Sequence, residues 1–297
     1  MPELPEVETI RLGLQRHLPG LIVKSVSSDT PKSFPNDQEL VRQFLIGATI
    51  TKTDRRAKVL LIELNTDYSL IVHLKMTGQL VFIGRERWGG GHPNDSLVGE
   101  LPDRSTRVTM HFTDESTLYF NDQRKFGWMR LVPTAEISEI DFFRKVGPEP
   151  LGTEFSLATF RKALVRRKNT SIKAAILDQT IVAGVGNIYA DESLHIAGIH
   201  PATRTGDVPL KKIKLLHAAI PDVMRLSLAH GGSSDKNYVD VDGNKGSYLK
   251  FARVFRREGQ PCPDCGAIIE KIRVAGRGTH FCPACQKLPR AKKVNHT

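Results

Sequence analysis

The sequence predicts an α+β chain of several domains: an N-terminal antiparallel β-sandwich, a helical domain and a small C-terminal metal module. Three observations carry this expectation. Short stretches rich in β-branched and aromatic residues recur between residues 59 and 133, separated by turn residues. From Leu157 onward the apolar spacing becomes helical. All four cysteines, Cys262, Cys265, Cys282 and Cys285, fall near the C-terminus as two Cys-x-x-Cys pairs. The 297 residues, 40% hydrophobic and 25% charged, have the composition of a globular protein with room for about two cores. No apolar run approaches the ~20 residues of a membrane span. The acidic, proline-rich start Met1-Pro2-Glu3-Leu4-Pro5-Glu6 does not read as a secretory signal.

Along the chain, Val7, Ile10, Leu14 and Leu18 share one face of a helix over 3–18. Strands are expected at 59–64, 69–75, 79–83, 107–112, 117–122 and 127–133, with hairpin tips at 65–67 and 113–115. The insert 84–104, with Gly89-Gly90-Gly91, reads as an exposed loop. The strand pattern stops near 146–150, and helices are expected near 157–168, 171–182, 188–197 and 208–229. A polar stretch over 233–246 has little periodicity, and loops of that length are commonly functional or disordered. The expected boundaries are 1–135, a linker over 136–156, 157–246, and 247–297.

The formal net charge is +11, and it is unevenly placed: the last 47 residues hold ten Lys/Arg against Glu258, Asp264 and Glu270. A tail this basic suits a polyanion such as nucleic acid, although a solvated basic face would look the same. Sixteen residues separate the two cysteine pairs, and four thiolates at that spacing can enclose one Zn²⁺ with no open coordination position. A redox Cys-x-x-Cys would be a single pair in an α/β context. Between the pairs, the basic, glycine-rich tip 273–280 can sit beside phosphates once the metal holds it.

Two further segments carry chemistry. In Gly184-Val185-Gly186-Asn187-Ile188-Tyr189 the glycines permit a tight interhelical turn, and Asn187 is placed to cap the next helix, whose free N–H groups attract anions. Arg166, Arg167, Lys168 and Lys173 add positive charge upstream. At the N-terminus, removal of Met1 would leave Pro2 with a secondary amine at a helix start, beside Glu3 and Glu6. Such an amine attacks an aldehyde-level carbon and forms an iminium, an electron sink, while a neighbouring carboxylate moves protons.

Taken together, the run Pro2 to Thr9, the glycine hairpin and the cysteine pairs resemble the formamidopyrimidine-DNA glycosylase family over residues 2 to about 287. The sister endonuclease VIII type usually has glycine where Leu4 stands, which favours the purine-repair branch. The resemblance implies a β-sandwich, a helix–two-turn–helix domain and a zinc finger, with damaged double-stranded DNA in the cleft between domains. It implies Pro2 as nucleophile, Glu3 as proton donor, Lys58 in β-elimination and Arg277 in δ-elimination. It also implies phosphate contacts from His73, Lys168, Lys173 and Asn187. Met76, Arg124 and Phe126 would fill the hole left by a flipped nucleotide, an arrangement that offsets lost stacking and pairing. A structural Zn²⁺ on the four cysteines, a monomer and a bacterial cytoplasmic setting on nucleoid DNA complete the expectation. The alternatives are an oxidised-pyrimidine glycosylase of the endonuclease VIII type and a non-catalytic zinc-ribbon DNA-binding protein.

Overall fold

In the computed structural model, residues 2–92, 94–232 and 248–289 are described. The polar stretch over 233–246 lies outside them. The chain divides into two compact units, Met1–Lys145 with Ser227–Tyr248, and Val146–Leu226 with Leu249–Thr297.

The first unit begins with α1 (Leu4–His17), followed by β1 (Val23–Ser28), a short α2 (Gln38–Leu40), β2 (Ile50–Arg56), β3 (Val59–Leu64), β4 (Tyr68–His73), β5 (Gly78–Ile83), β6 (Arg87–Gly91), β7 (Thr106–Phe112), β8 (Thr117–Asp122), β9 (Trp128–Pro133) and a short α3 (Asp141–Lys145). All strand pairings are antiparallel. They form a five-stranded sheet, β1-β7-β8-β5-β6, and a four-stranded sheet, β2-β3-β4-β9. Alternating apolar residues of both sheets, including Leu60, Ile62, Val72, Leu80, Val108 and Phe120, make one core. Val7, Ile10 and Leu14 of α1 join it and are at most 1% exposed, as their helical spacing requires.

Three strands were not legible. In β1 only Val23 is buried, so the alternation that marks a strand is missing. In β2, charged residues surround the buried Ile50 and Thr53. The third corrects the expected 84–104 loop: β6 is a strand at the edge of the larger sheet, with Trp88 only 3% exposed. Its glycines reflect close packing. A Cβ on Gly90 would stand 2.8 Å from Ile10 of α1, and one on Gly13 of α1 would overlap the Trp88 indole.

The second unit contains α4 (Leu157–Val165), α5 (Ile172–Leu177), α6 (Asn187–Ile196) and most of α7 (Leu210–Ala229), followed by a hairpin of β10 (Glu270–Val274) and β11 (Arg277–Phe281). Ser156 and Ser171 cap α4 and α5 through their hydroxyls. The helix expected over 171–182 ends at Leu177, where Asp178 turns extended and Gln179 begins the glycine turn. No helix among the described residues is long and apolar enough to cross a membrane.

The α1–β6 contact predicts that Gly13→Val destabilises the first unit by about 1–3 kcal/mol, the usual cost of overpacking. Thermal melts that match wild type would refute the contact.

Candidate active site and metal centre

At the head of α1, Glu3 is the N-cap residue in extended conformation and forms a reciprocal capping box with Glu6. The Glu3 backbone N–H donates to Glu6 Oε2 at 2.9 Å. Glu3 and Glu6 are 4% and 6% exposed and Pro2 is buried, so the cap fixes the direction in which the chain start leaves the helix. Gly232, at φ +91°, passes against the Glu6 carboxylate, where a Cβ would lie 3.3 Å from Oε1. The Tyr248 N–H donates to the Gly232 carbonyl at 3.3 Å.

Lys58, 7% exposed, lies in the two-residue turn between β2 and β3, preceded by Ala57 at φ +54°. Arg55 holds this turn to α1: its Nε donates to Glu8 Oε2 at 3.0 Å and its Nη1 to the Ala57 carbonyl at 2.9 Å. Burial opposes the charge on Glu8, but hydrogen bonds from Arg11 and Arg55 outweigh it and hold the carboxyl below its usual range. His73 pairs with Val59, next to Lys58, across the β3–β4 ladder. Burial first, then the charges of Lys75 and Lys58, push its pKa down to about 3. The Lys75 N–H donates to His73 Nδ1 at 3.0 Å, so the neutral ring carries its proton on Nε2 and presents a donor there.

Met76, Arg124 and Phe126 lie on two loops that one buried carboxylate organises. Asp122, fully buried, accepts from the backbone N–H groups of Arg124, Phe126 and Gly127 at 3.2, 2.8 and 2.7 Å. It also accepts from the Thr77 hydroxyl, next to Met76. Arg124 and Phe126 are exposed, and the Arg124 guanidinium lies 4.8 Å from the Phe126 ring centre, with the Lys32 ammonium at 5.5 Å. Asp122, Thr77, Glu8 and Arg55 escaped the sequence reading. The only local signal was an aspartate before a polar turn, the mark of an Asx turn.

In the second unit, Gly184 takes φ +75°, and Gln179 clamps the turn by accepting from the Gly184 N–H and donating to the Val185 carbonyl, both at 2.9 Å. The expected cap is corrected by one position: Gly186 is the N-cap and Asn187 is the first helical residue. Asn187 Nδ2 instead donates to the Gly278 carbonyl at 3.0 Å. The phosphate contact implied for Lys173 is also corrected. Its side chain is 0% exposed, and its ammonium is held by Asp191 Oδ1 at 2.7 Å, Thr279 Oγ1 at 2.7 Å and the Gly278 carbonyl at 3.3 Å. Lys168 is exposed, as is Arg277, which follows the two-residue turn Ala275-Gly276. Both turn residues have positive φ, +50° and +74°, as a type I′ hairpin needs.

The four cysteine Sγ atoms lie within 4.8 Å of one another. Cys265 is 3.4 Å from both Cys282 and Cys285, and Cys262 is 4.0 Å from Cys285. A tetrahedron with Zn–S bonds of about 2.3 Å has S–S edges of about 3.8 Å. The four residues therefore fit one Zn²⁺ with no position left for a substrate.

A β-sandwich with a buried proline at its head, a glycine-turned helical hairpin and a four-cysteine finger define a multidomain zinc-finger protein with its candidate reactive group at the N-terminus. Family models place it more closely. Residues 1–129 match the formamidopyrimidine-DNA glycosylase N-terminal domain, 146–238 the H2TH domain of that glycosylase, and 259–288 the zinc finger found in FPG and IleRS. The formamidopyrimidine-DNA glycosylase of Desulforamulus reducens is 41% identical over 97% of this chain and 99% of its own. That of Lactiplantibacillus plantarum is 39% identical over 97% and 100%. A Lactococcus lactis Fpg in complex with abasic-site DNA superposes with a TM-score of 0.85 at 36% identity, covering 96% of this chain and 99% of that one. The chain belongs to the formamidopyrimidine-DNA glycosylase family.

Two predictions follow from this geometry. Because the folded His73 pKa lies below its unfolded value of about 6.5, the unfolded chain binds the extra proton first. The His73 contribution to stability is therefore complete above about pH 6.5 and is lost as pH falls towards about 3. Ring NMR resonances of His73 that titrate between pH 5 and 8 would contradict this. Asp122→Ala strands three backbone donors and should cost about 3 kcal/mol in denaturant titrations, while the 123–127 loop gains hydrogen exchange.

Proposed function

We propose that this chain excises oxidised purines, such as 8-oxoguanine and formamidopyrimidines, from double-stranded DNA and then cleaves the abasic strand. The supporting observation is the Glu3–Glu6 cap, which holds Pro2 and Glu3 together, buried, at the positive end of α1. With Met1 removed, the Pro2 nitrogen bonds to C1′ of the damaged nucleotide, the C1′–base bond breaks, and the base leaves with a proton. Glu3 supplies the proton that opens the sugar ring in the same event as base loss, giving an iminium between Pro2 and C1′. The iminium acidifies C2′. Loss of a C2′ proton, with Lys58 assisting, expels the 3′ phosphate in β-elimination. A second elimination, assisted by Arg277, expels the 5′ phosphate, and water returns Pro2 as the amine. His73 through its Nε2–H, together with Lys168 and Asn187, grips the backbone. Met76, Arg124 and Phe126 occupy the vacated stack. Residues 1–135 carry Pro2, Glu3 and Lys58 with the stack-filling side chains, 157–246 carry Lys168 and Asn187, and 247–297 carry the zinc finger with Arg277. The Zn²⁺ would be held by Cys262, Cys265, Cys282 and Cys285, and when bound it keeps the finger folded. We place the chain in the bacterial cytoplasm, on nucleoid DNA, as a monomer.

Borohydride should trap a covalent adduct between Pro2 and an 8-oxoguanine duplex. An N-terminally extended, folded chain should lose trapping and cutting together. Glu3→Gln should lower excision at least 100-fold while lesion-DNA affinity changes less than threefold. Equal cutting by the extended chain would end the Pro2 mechanism, and faster excision of thymine glycol than of 8-oxoguanine would move the lesion class to oxidised pyrimidines.

A further inference from the structure

A histidine outside every motif considered so far lies against the metal centre. His195, in the last turn of α6, has a wholly buried side chain, and its Nε2 lies 3.4 Å from Cys262 Sγ. Cys262 is itself 3% exposed, whereas Cys265 is open to solvent. A metal-bound thiolate can only accept, so the nitrogen facing it carries the proton. The other nitrogen, Nδ1, faces Asp264 Oδ2 at 3.9 Å, and Asp264 is anchored by Arg253 Nη1 at 2.7 and 3.0 Å. Asp264 belongs to the first cysteine pair, so the histidine approaches that knuckle on two sides.

We propose that His195 is a positioning residue for the zinc site: its Nε2–H donates to the Cys262 thiolate and ties the first knuckle to α6. The hydrogen bond draws charge from the sulfur, making Cys262 a poorer nucleophile and slowing its loss from the metal. Outer-sphere donors of this kind orient a ligand and tune its hold on the ion without touching the ion. The same helix begins at Asn187, so the bond also fixes the finger to the element that carries an expected backbone contact.

The test uses the full-length zinc-loaded protein and reads metal release, independent of any DNA activity. Zinc transfer to the chromogenic chelator 4-(2-pyridylazo)resorcinol, in the presence of N-ethylmaleimide, should be about tenfold or more faster for His195→Phe, which keeps the ring volume but lacks the donor. His195→Gln, whose amide can reach the same sulfur, should stay within about threefold of wild type. Wild-type release from a folded His195→Phe would overturn the proposal, and so would equal acceleration in both variants, which would make the residue a packing element only. Wild-type protein loaded with cadmium gives a reading that needs no variant. The His195 Nε2–H proton should show scalar coupling to the metal nucleus through the sulfur, and its absence would refute the hydrogen bond.

Discussion

Two adjacent carboxylates buried on one turn of α6 set the condition that the second unit must meet. Asp191 and Glu192 are each 1% exposed, and an isolated ion at that depth would cost many kcal/mol. Both are satisfied by segments far away in sequence. Asp191 accepts from the His280 N–H at 2.9 Å and pairs with Lys173, while Glu192 accepts from the N–H groups of Arg253, Val254 and Phe255 at 2.8, 3.0 and 2.8 Å. Burial raises the Glu192 pKa, the three amides act against it, and the neighbouring Asp191 adds to the rise. The helix thus reaches a low-energy state only when the finger is in place, and the finger hairpin is held by metal-ligating cysteines at its ends. A zinc ion on those cysteines, with no coordination position for substrate, would thus act on the helix that begins at Asn187 by holding the finger.

The same logic organises the first unit. Each residue expected to do chemistry there is held by an acidic side chain that performs none: Glu6 holds the residue after Pro2, Glu8 acts through Arg55 on the turn before Lys58, and Asp122 gathers the loops of Met76, Arg124 and Phe126. Fixing these groups before substrate arrives removes an ordering cost from the reaction. It also explains why a chain of net charge +11 keeps acids near its candidate centre.

What the sequence made legible was chemistry carried by residue type at short spacing. Pro2 beside Glu3, the glycines at 184 and 186, and the cysteine pairs each announce a role within a few residues; in the fold Gly184 takes the positive φ, Gly186 is the N-cap of α6, and the four sulfurs lie together. Strands made of an almost unbroken apolar run were equally clear, as for Val59–Leu64, in which no residue is exposed. The failures share one cause, dependence on a partner distant in sequence. The edge strand β6 hid because its Gly90 answers to Ile10 of α1, 80 residues earlier. Asp122 serves Thr77, 45 residues away. Nothing local distinguishes such residues from ordinary polar ones.

Lys173 shows most clearly how a carried-over charge can take a different task. An ammonium has three N–H groups, and here they meet Asp191, Thr279 and Gly278. Turning outward to a phosphate would break these contacts and leave Asp191 buried without its counter-ion. The residue therefore acts on the finger, and it does so jointly with Asn187: both side chains donate to the Gly278 carbonyl, the peptide that follows Arg277. The backbone beneath Arg277 is thereby fixed on one side by the Ala275-Gly276 turn and on the other by this shared carbonyl. Were Arg277 to bind an anion, only its side chain would remain to be ordered, at a cost of about 0.5–1.5 kcal/mol rather than that of a whole loop.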